Sequence, residues 1–490
     1  MAGFPKNFYR PAAWIALACL VVPMFASYYF DDMFSSISYL FENPSLTALG
    51  WDAAGYGLYT SGYSVLCVFG GLVIGGILLD KWGVRVSGSL FVGMMVLGAG
   101  MVTGAVLHGG AAALRWAYVG TMLFGLGSEI AGTAVTRSIA KWFRGGPMAL
   151  AMGLQLAIAR LGTAFALVLS PRLVQQVPDH VYSLAETSRP ALVGMGLMAL
   201  GLILWAVFVA LDARAERSSR AEASDRYAPS ELSLPDKSGP LPFTKPRAAT
   251  PPEASAPEER TTVISSEAEK SQKDSEEFRF KDVLGVLGNR NFWLLGLLCV
   301  LFYSSIIAFK KFAGAILVPR FDIPAQAAGW MVSMLPFSTV IFAPLFGMMV
   351  DKAGKGTRWM ILGAILSLIA HAILAFAPAG VPFWGYLAMV FLGFGYSLVP
   401  AALWPSVPKI VPDKVLGTTF ALIYWVQNLG LLSFKMIAGN ILGAHSADAG
   451  GPVAVEIMFF GLCIAALAVA FVFHFTSLRH PELRLDDPNN

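Results

Sequence analysis

Charge is scarce in this chain. Only 13% of its 490 residues are Asp, Glu, Lys or Arg, against 56% hydrophobic residues. So little charge cannot clothe a soluble surface of this length, which excludes a soluble domain and reads as a polytopic membrane protein. The net charge of +4 is too small for a nucleic-acid surface and fits basic loops at a membrane face. Cysteine is scarce too. Cys19, Cys67, Cys299 and Cys463 each sit alone in an apolar run, which excludes a disulfide framework or a thiolate metal site. They are expected to be buried small hydrophobes. No cluster has metal-ligand spacing and no nucleophile–base pair is present, so no metal, no cofactor and no enzyme activity is expected. A cleavable signal peptide is not expected either, because the first apolar run is long and leads into more membrane sequence.

What is present is a series of long apolar segments. Six precede a break, at about 11–33, 52–79, 86–108, 113–140, 147–172 and 191–212. Six more follow it, at about 291–318, 325–350, 358–378, 382–408, 414–441 and 453–477. The stretch 213–282 is rich in Ser, Pro, Glu, Lys and Arg, cannot bury a core and is expected to be largely disordered. A short amphipathic piece, Phe278 to Leu284, is expected to lie on the membrane surface. The fold expected is therefore all-α, with twelve transmembrane helices in two six-helix bundles, 1–212 and 283–490, joined by the linker at 213–282.

Lysine and arginine set the expected orientation. Lys81, Arg85, Lys141 and Arg144 follow segments two and four, Lys352, Lys355 and Arg358 follow segment eight, and Lys409 and Lys414 flank the turn after segment ten. Loops 34–51, 379–381 and 442–452 contain none. The positive-inside rule then places both termini and the linker in the cytoplasm. Arg189, in the loop at 173–190, is the exception to this pattern. Trp14, Trp51, Trp82, Trp116, Trp142, Trp330, Trp359 and Trp384 lie near segment ends, as an interfacial belt requires.

An internal repeat links the halves. Gly76-Ile-Leu-Leu-Asp80-Lys81-Trp-Gly83-Val-Arg85 follows segment two, and Gly347-Met-Met-Val-Asp351-Lys352-Ala-Gly354 follows segment eight. An ordinary basic loop explains one copy and poorly explains two. Gly83 and Gly354 suit a tight turn, while Asp80 and Asp351 can cap or pair with a helix end.

Two charges stand near the middle of apolar segments, Glu129 in segment four and Arg160 in segment five. Each lies roughly 18–20 Å from the intervening basic turn at 1.5 Å per residue, near mid-depth of a core about 30 Å thick. An unpaired charge there costs several kcal/mol, so both are expected to face inward and can pair with one another. The plainer alternative is an ion pair that only sets helix register.

The repeated turns are the signature loop of the major facilitator superfamily, which the whole chain resembles. The resemblance sharpens at Ser27-Tyr-Tyr-Phe-Asp-Asp32, at Trp142-Phe143, at Ala149-Leu-Ala-Met-Gly-Leu-Gln155-Leu-Ala-Ile-Ala-Arg160-Leu-Gly162, at Gly395-Tyr396-Ser397 through Leu403-Trp404-Pro405, and at Leu416-Gly417-Thr418 and Gln427-Asn428-Leu429-Gly430. Together these resemble the branch called major facilitator superfamily domain-containing protein 1, whose animal members are lysosomal dipeptide transporters. The resemblance covers both membrane halves and not the linker. It implies that Glu129 and Arg160 line a central cavity and engage a peptide. The chain departs from the branch where Asp32 is followed by Met33-Phe34 rather than Asn-Pro, and where Lys310-Lys311 has no counterpart.

The chemistry suits a zwitterion. Glu129 offers an anion for an ammonium end, and Arg160 can hold a carboxylate through two parallel hydrogen bonds. Asp32 is the further acid of the proposed site, with a solvated helix end as its alternative. Gln155, Tyr396, Trp404 and Asn428 are candidate substrate contacts, each with ordinary packing as the alternative. Lys310, Lys311 and Lys435 are candidate cavity cations, since snorkelling does not account for lysine so far from an interface. His371 reads as a packed, hydrogen-bonded histidine. The resulting expectation is a monomeric carrier of dipeptides or similar small zwitterions, passive or proton-coupled, rocking around a mid-membrane site. Glu129 and Asp32 are the groups able to take protons. An organic-anion carrier using Arg160 with Lys310 or Lys311 is the alternative, and a non-transporting receptor is a third, disfavoured by matched turns in both halves. Without an evident endosomal targeting signal, a bacterial cytoplasmic membrane is the expected home.

Overall fold

The computed structural model describes residues 9–41, 44–143, 148–175, 177, 180–227, 285–411, 416–445, 450–481 and 485–486. Helices dominate. They are α1 (Tyr9–Asp32), α2 (Ala53–Leu66), α3 (Leu72–His108), α4 (Ala113–Trp142), α5 (Met148–Leu173) and α6 (Leu184–Tyr227), then α7 (Arg290–Phe321), α8 (Ala325–Ala353), α9 (Gly356–Phe376), α10 (Pro382–Ile410), α11 (Leu416–Ala444) and α12 (Gly451–Arg479). A short 3-10 helix, Ser35–Phe41, follows α1, and a π-helical turn, Cys67–Gly71, joins α2 to α3. The second membrane crossing runs from Ala53 to Leu79 and the third from Lys81 to His108, so α3 belongs to both. Gly83 breaks it at φ 75°. At the matching place in the second half, Gly354 ends α8 at φ 61°. Positive φ is cheap only without a Cβ, which accounts for glycine in both turns.

Eleven helices among the described residues are long and apolar enough to cross a membrane. The exception is α4, which has the length, at 30 residues, but not the apolarity. Glu129, Thr133 and Arg137 recur along it at a spacing of four, so one stripe of this helix is polar. Polar side chains at membrane depth are tolerated where they face protein or a water-filled cavity.

The two halves repeat one packing scheme. In the first, α3 contacts α4, α1 contacts α5 and α6, α3 contacts α6, and α2 contacts α4. Every one of these contacts recurs six helices later, as α9–α10, α7–α11, α7–α12, α9–α12 and α8–α10. Between halves, α2 meets α11, α5 meets α8, and the 3-10 helix meets α7. All three meetings lie toward the face opposite the basic turns.

Helix α6 runs past 212, where the first half is expected to end. It continues to Tyr227 through Ala213-Arg-Ala-Glu-Arg, because alanine, arginine and glutamate are strong helix formers even where they are too polar for a membrane. The rest of the linker to 284, including the amphipathic piece at 278–284, lies outside the described residues.

Candidate functional site

The seam between halves is closed by buried charge. Helix α1 ends on Asp31 and Asp32, and α7 brings Lys310 and Lys311 opposite them. Asp32 Oδ2 lies 2.6 Å from Lys310 Nζ, and its Oδ1 lies 2.9 Å from Lys311 Nζ. Lys311 also reaches Asp31 Oδ2 at 2.8 Å and the Asp31 carbonyl. Thr163 of α5 donates to Asp32 Oδ2 at 2.8 Å. Asp32 is 1% exposed and Lys311 2%. Each charge thus has an opposite partner, which is what makes burial of Asp32, Lys310 and Lys311 tolerable. Around them the seam continues: Tyr56 donates to the Lys311 carbonyl, the Ala315 amide to Ser38 Oγ, Lys435 to the Thr60 carbonyl and Trp425 to the Val68 carbonyl. Arg172 of α5 lies over the Trp330 ring of α8. Asp32, the candidate substrate acid, and Lys310 and Lys311, the candidate cavity cations, thus pair with one another at the seam. The acids that meet the adjacent lysines stand at the end of α1, in the other half, which a sequence read half by half does not reveal.

The two charges singled out in the middle of their apolar segments are Glu129 of α4 and Arg160 of α5. Glu129 and Arg160 are both half-buried, and no ion pair joins them. The expected mutual pairing is replaced by tyrosines. Tyr63 of α2 donates to Glu129 Oε1 at 3.0 Å. Arg160 Nη1 donates to the Tyr396 hydroxyl at 2.8 Å, across the seam. The guanidinium carbon lies 5.4 Å from the Tyr396 ring centre and 5.6 Å from that of Tyr28. Tyr28 and Tyr424 each lie within electrostatic reach of both Glu129 and Arg160. Glu129 and Arg160 thus stand apart, each hydrogen-bonded to a tyrosine hydroxyl.

The other candidates divide. Trp404 donates Nε1 to the Tyr303 hydroxyl at 3.1 Å and packs 5.1 Å from the Tyr424 ring. Asn428 donates to the Tyr424 carbonyl, and its Oδ1 is buried without a partner. Gln155 is half-buried on α5, with no hydrogen bond given to its side chain among the described residues. Lys435, 2% exposed, lies with its ammonium 5.6 Å from the Tyr63 ring centre. His371 is packed and hydrogen-bonded, its Nδ1 2.8 Å from Glu456 Oε2. Tyr28, Tyr63, Tyr303, Tyr424 and Glu456 were not singled out as site or partner residues by sequence reasoning. Tyrosines in so aromatic a chain have no diagnostic spacing, whereas Glu456, the one acid in α12, was there to be noticed.

At the basic face, Arg85 pairs with Asp212 at 3.5 Å and with Glu216, and Lys141 lies 2.8 Å from Asp212 Oδ1. Trp142 Nε1 donates to the same oxygen. These contacts tie the start of the third crossing to the end of α4 and to Asp212 and Glu216 within α6. A cavity of about 360 Å³ beside them is lined by charges already matched to one another, unlike the central site. Of the other turn residues, Gly76 and Gly347 have open space around their Cα atoms, Lys81 and Lys352 are exposed, and the side chains of Asp80 and Asp351 lie outside those described.

Comparison with known proteins agrees with this architecture. The Major Facilitator Superfamily model matches residues 15–434 and, in an overlapping match, 312–489. The lysosomal dipeptide transporter MFSD1 of Danio rerio is 27% identical over 88% of this chain and 80% of its own length. That of Homo sapiens is 27% identical over 85% and 76%. Among solved structures, the nucleoside transporter NupG aligns at a TM-score of 0.62, 12% identity, 94% of this chain and 98% of its own. The peptide transporter POT in complex with sulfate aligns at 0.62, 17% identity, 99% and 98%. At such identities these structures speak for the fold alone.

Proposed function

The chain belongs to the Major Facilitator Superfamily, and on that premise we propose that it carries dipeptides or similar small zwitterions by alternating access around Glu129 and Arg160. It is an integral, multi-pass membrane protein and a transporter by family, not an enzyme. The reading rests above all on one observation: Glu129 and Arg160 are half-buried and bond to tyrosine hydroxyls rather than to each other. An empty site that pairs its own charges must break that pair to bind. Here a ligand ammonium displaces only the Tyr63 hydroxyl from Glu129, and a ligand carboxylate displaces the Tyr396 hydroxyl from Arg160. Each exchange replaces a bond with one charged partner by a bond between two opposite charges, which favours it. The dipeptide transporters at 27% identity support the substrate class.

The organic-anion alternative needs Lys310 or Lys311 in the cavity, and both are engaged by Asp31 and Asp32. With the basic turns at the cytoplasm, the seam is shut outside and the site opens inward. The unit that does this is a monomer in a bacterial cytoplasmic membrane, with both termini and the linker inside.

Thermal unfolding of the purified protein against a dipeptide, its N-acetyl and C-amide forms, and a dicarboxylate tests the proposal. A ligand at 100 times its Kd stabilises by about 2.7 kcal/mol. The free dipeptide should raise the melting temperature most. A larger shift with the dicarboxylate would favour the anion carrier instead.

A further inference from the structure

Where α2 and α11 close the seam, their contacts step along both helices in antiparallel order. Gly57 lies against Gly439, the Thr60 carbonyl takes Lys435, and the Val68 carbonyl takes the Trp425 indole at 2.6 Å. The last of these rungs falls on the π-helical turn Cys67–Gly71, near the middle of a crossing that runs from Ala53 to Leu79. Beyond the turn the crossing continues as α3, with which α11 makes little contact. The crossing therefore breaks where its contact with α11 runs out.

The break is built into the backbone. Gly70 stands at φ 92° and ψ −2°, and Phe69 at ψ 33°. A Cβ on Gly70 would meet nothing within 4 Å, so glycine serves there for its conformation and not for space. In a straight α-helix the Val68 carbonyl would accept from the Leu72 amide, four residues on. The π-turn breaks that register, and the indole of the other half supplies a donor. The fold does not demand the break. The equivalent crossing of the second half, α8, makes the matching contact with α5 as one continuous helix, Ala325–Ala353.

We propose that Cys67–Gly71 is a hinge, bent while α2 lies on α11 and straightened when the seam opens, and that Trp425 is the latch that holds it bent. Opening the seam moves α2 off α11 and withdraws the indole. A Val68 carbonyl left without a donor in the middle of a membrane crossing is costly. Straightening the helix returns that carbonyl to the Leu72 amide, so opening and straightening favour one another. The Val68–Trp425 bond joins the two halves and exists only while they meet here, which is why it can bias the equilibrium toward the shut form. Gly70 makes the bent form accessible, because its positive φ is strained for any residue with a Cβ. The hinge serves a carrier of any substrate and does not rest on the dipeptide reading.

The test needs no ligand. Ala53 is 2% exposed and stands one helix turn before Gly57, on the face of α2 turned to α11. The rate at which Ala53→Cys reacts with a polar thiol reagent, in the purified full chain in nanodiscs, then reports the fraction of time the seam is open. The four native cysteines are buried, and the chain without Ala53→Cys gives the background. Gly70→Ala penalises the bent form and should speed labelling about 5- to 30-fold. Trp425→Phe keeps a ring but loses the donor, and should speed it about 2- to 10-fold. Gly93→Ala, at a helical glycine of α3 with open space around it, should leave the rate within about twofold. An unchanged rate in Gly70→Ala, or an equal rise in Gly93→Ala, would overturn the hinge. An unchanged rate in Trp425→Phe would overturn the latch, and decides the proposal should Gly70→Ala fail to fold.

Discussion

At the scale of single residues, a carboxylate near mid-depth needs a donor, and Glu129 takes Tyr63 in place of Arg160. Composition and spacing were enough to single out both charges, since each is alone in an apolar segment. Their separate partners were not legible, because residue spacing gives depth along a helix and not the azimuth of one helix against another. The same limit hid the Asp32 lock: its lysines lie 278 and 279 residues away in sequence. Two predictions belong here. Arg160→Lys keeps the charge and loses the planar fork, and should weaken dipeptide affinity about 10- to 100-fold, as one charged hydrogen bond is worth about 1.5–3 kcal/mol. Titration calorimetry on folded protein measures it, and an unchanged Kd would remove Arg160 from carboxylate binding. Asp32→Asn strands Lys310 and Lys311 in the closed seam, a loss of about 3–5 kcal/mol for a broken buried pair. Its melting temperature should fall, and adding Lys310→Met and Lys311→Met should recover part of the fall. No recovery would mean that Asp32 stabilises through Thr163 and Ser35 alone.

At the scale of elements, α2 and α11 pack so closely that a side chain has no room between them. A Cβ on Gly57 would stand 2.8 Å from the Gly439 Cα, and one on Gly439 would stand 2.6 Å from the Ala53 carbonyl oxygen. Backbone does not yield cheaply, so Gly57→Val should wedge this end of the seam and favour the opposite opening of the carrier. Cysteines placed beside the Asp32 lock should then gain labelling by a membrane-impermeant reagent, with dipeptide binding retained and transport reduced. Labelling equal to that of wild type would show that the contact is not a closing surface. Element boundaries were legible where apolarity changes abruptly, as at the start of α10, and not where α6 leaves the membrane as a polar helix. Helix α4 was read as one of the apolar segments, at 113–140, although its hydropathy is weaker than that of the others. Its polar stripe is the reason for both the weakness and the interest.

At the scale of the whole molecule, the repeated Gly-x-x-x-Asp-Lys turns made a two-half reading available from sequence alone, and the main helix contacts repeat six helices on. The same symmetry explains the seam: α2 with α11 and α8 with α5 are one contact made twice. Which end was closed could not be read from either half, because the closing groups come one from each. If the closed end faces outward, a cysteine placed in the linker stays unlabelled from outside intact cells. Efficient labelling there would invert the topology. The central claim is that one site reads the two ends of a zwitterion, Glu129 the ammonium and Arg160 the carboxylate. It is tested most directly by competition in proteoliposomes, with uptake of a labelled dipeptide by wild type and Glu129→Gln opposed by the free, N-acetylated and C-amidated forms. The account predicts that the wild type prefers the free dipeptide over its N-acetyl form about tenfold or more, and that Glu129→Gln, checked for folded yield, loses that preference while still rejecting the C-amide. Equal loss of all three ligands in Glu129→Gln would contradict it and leave Glu129 a structural residue.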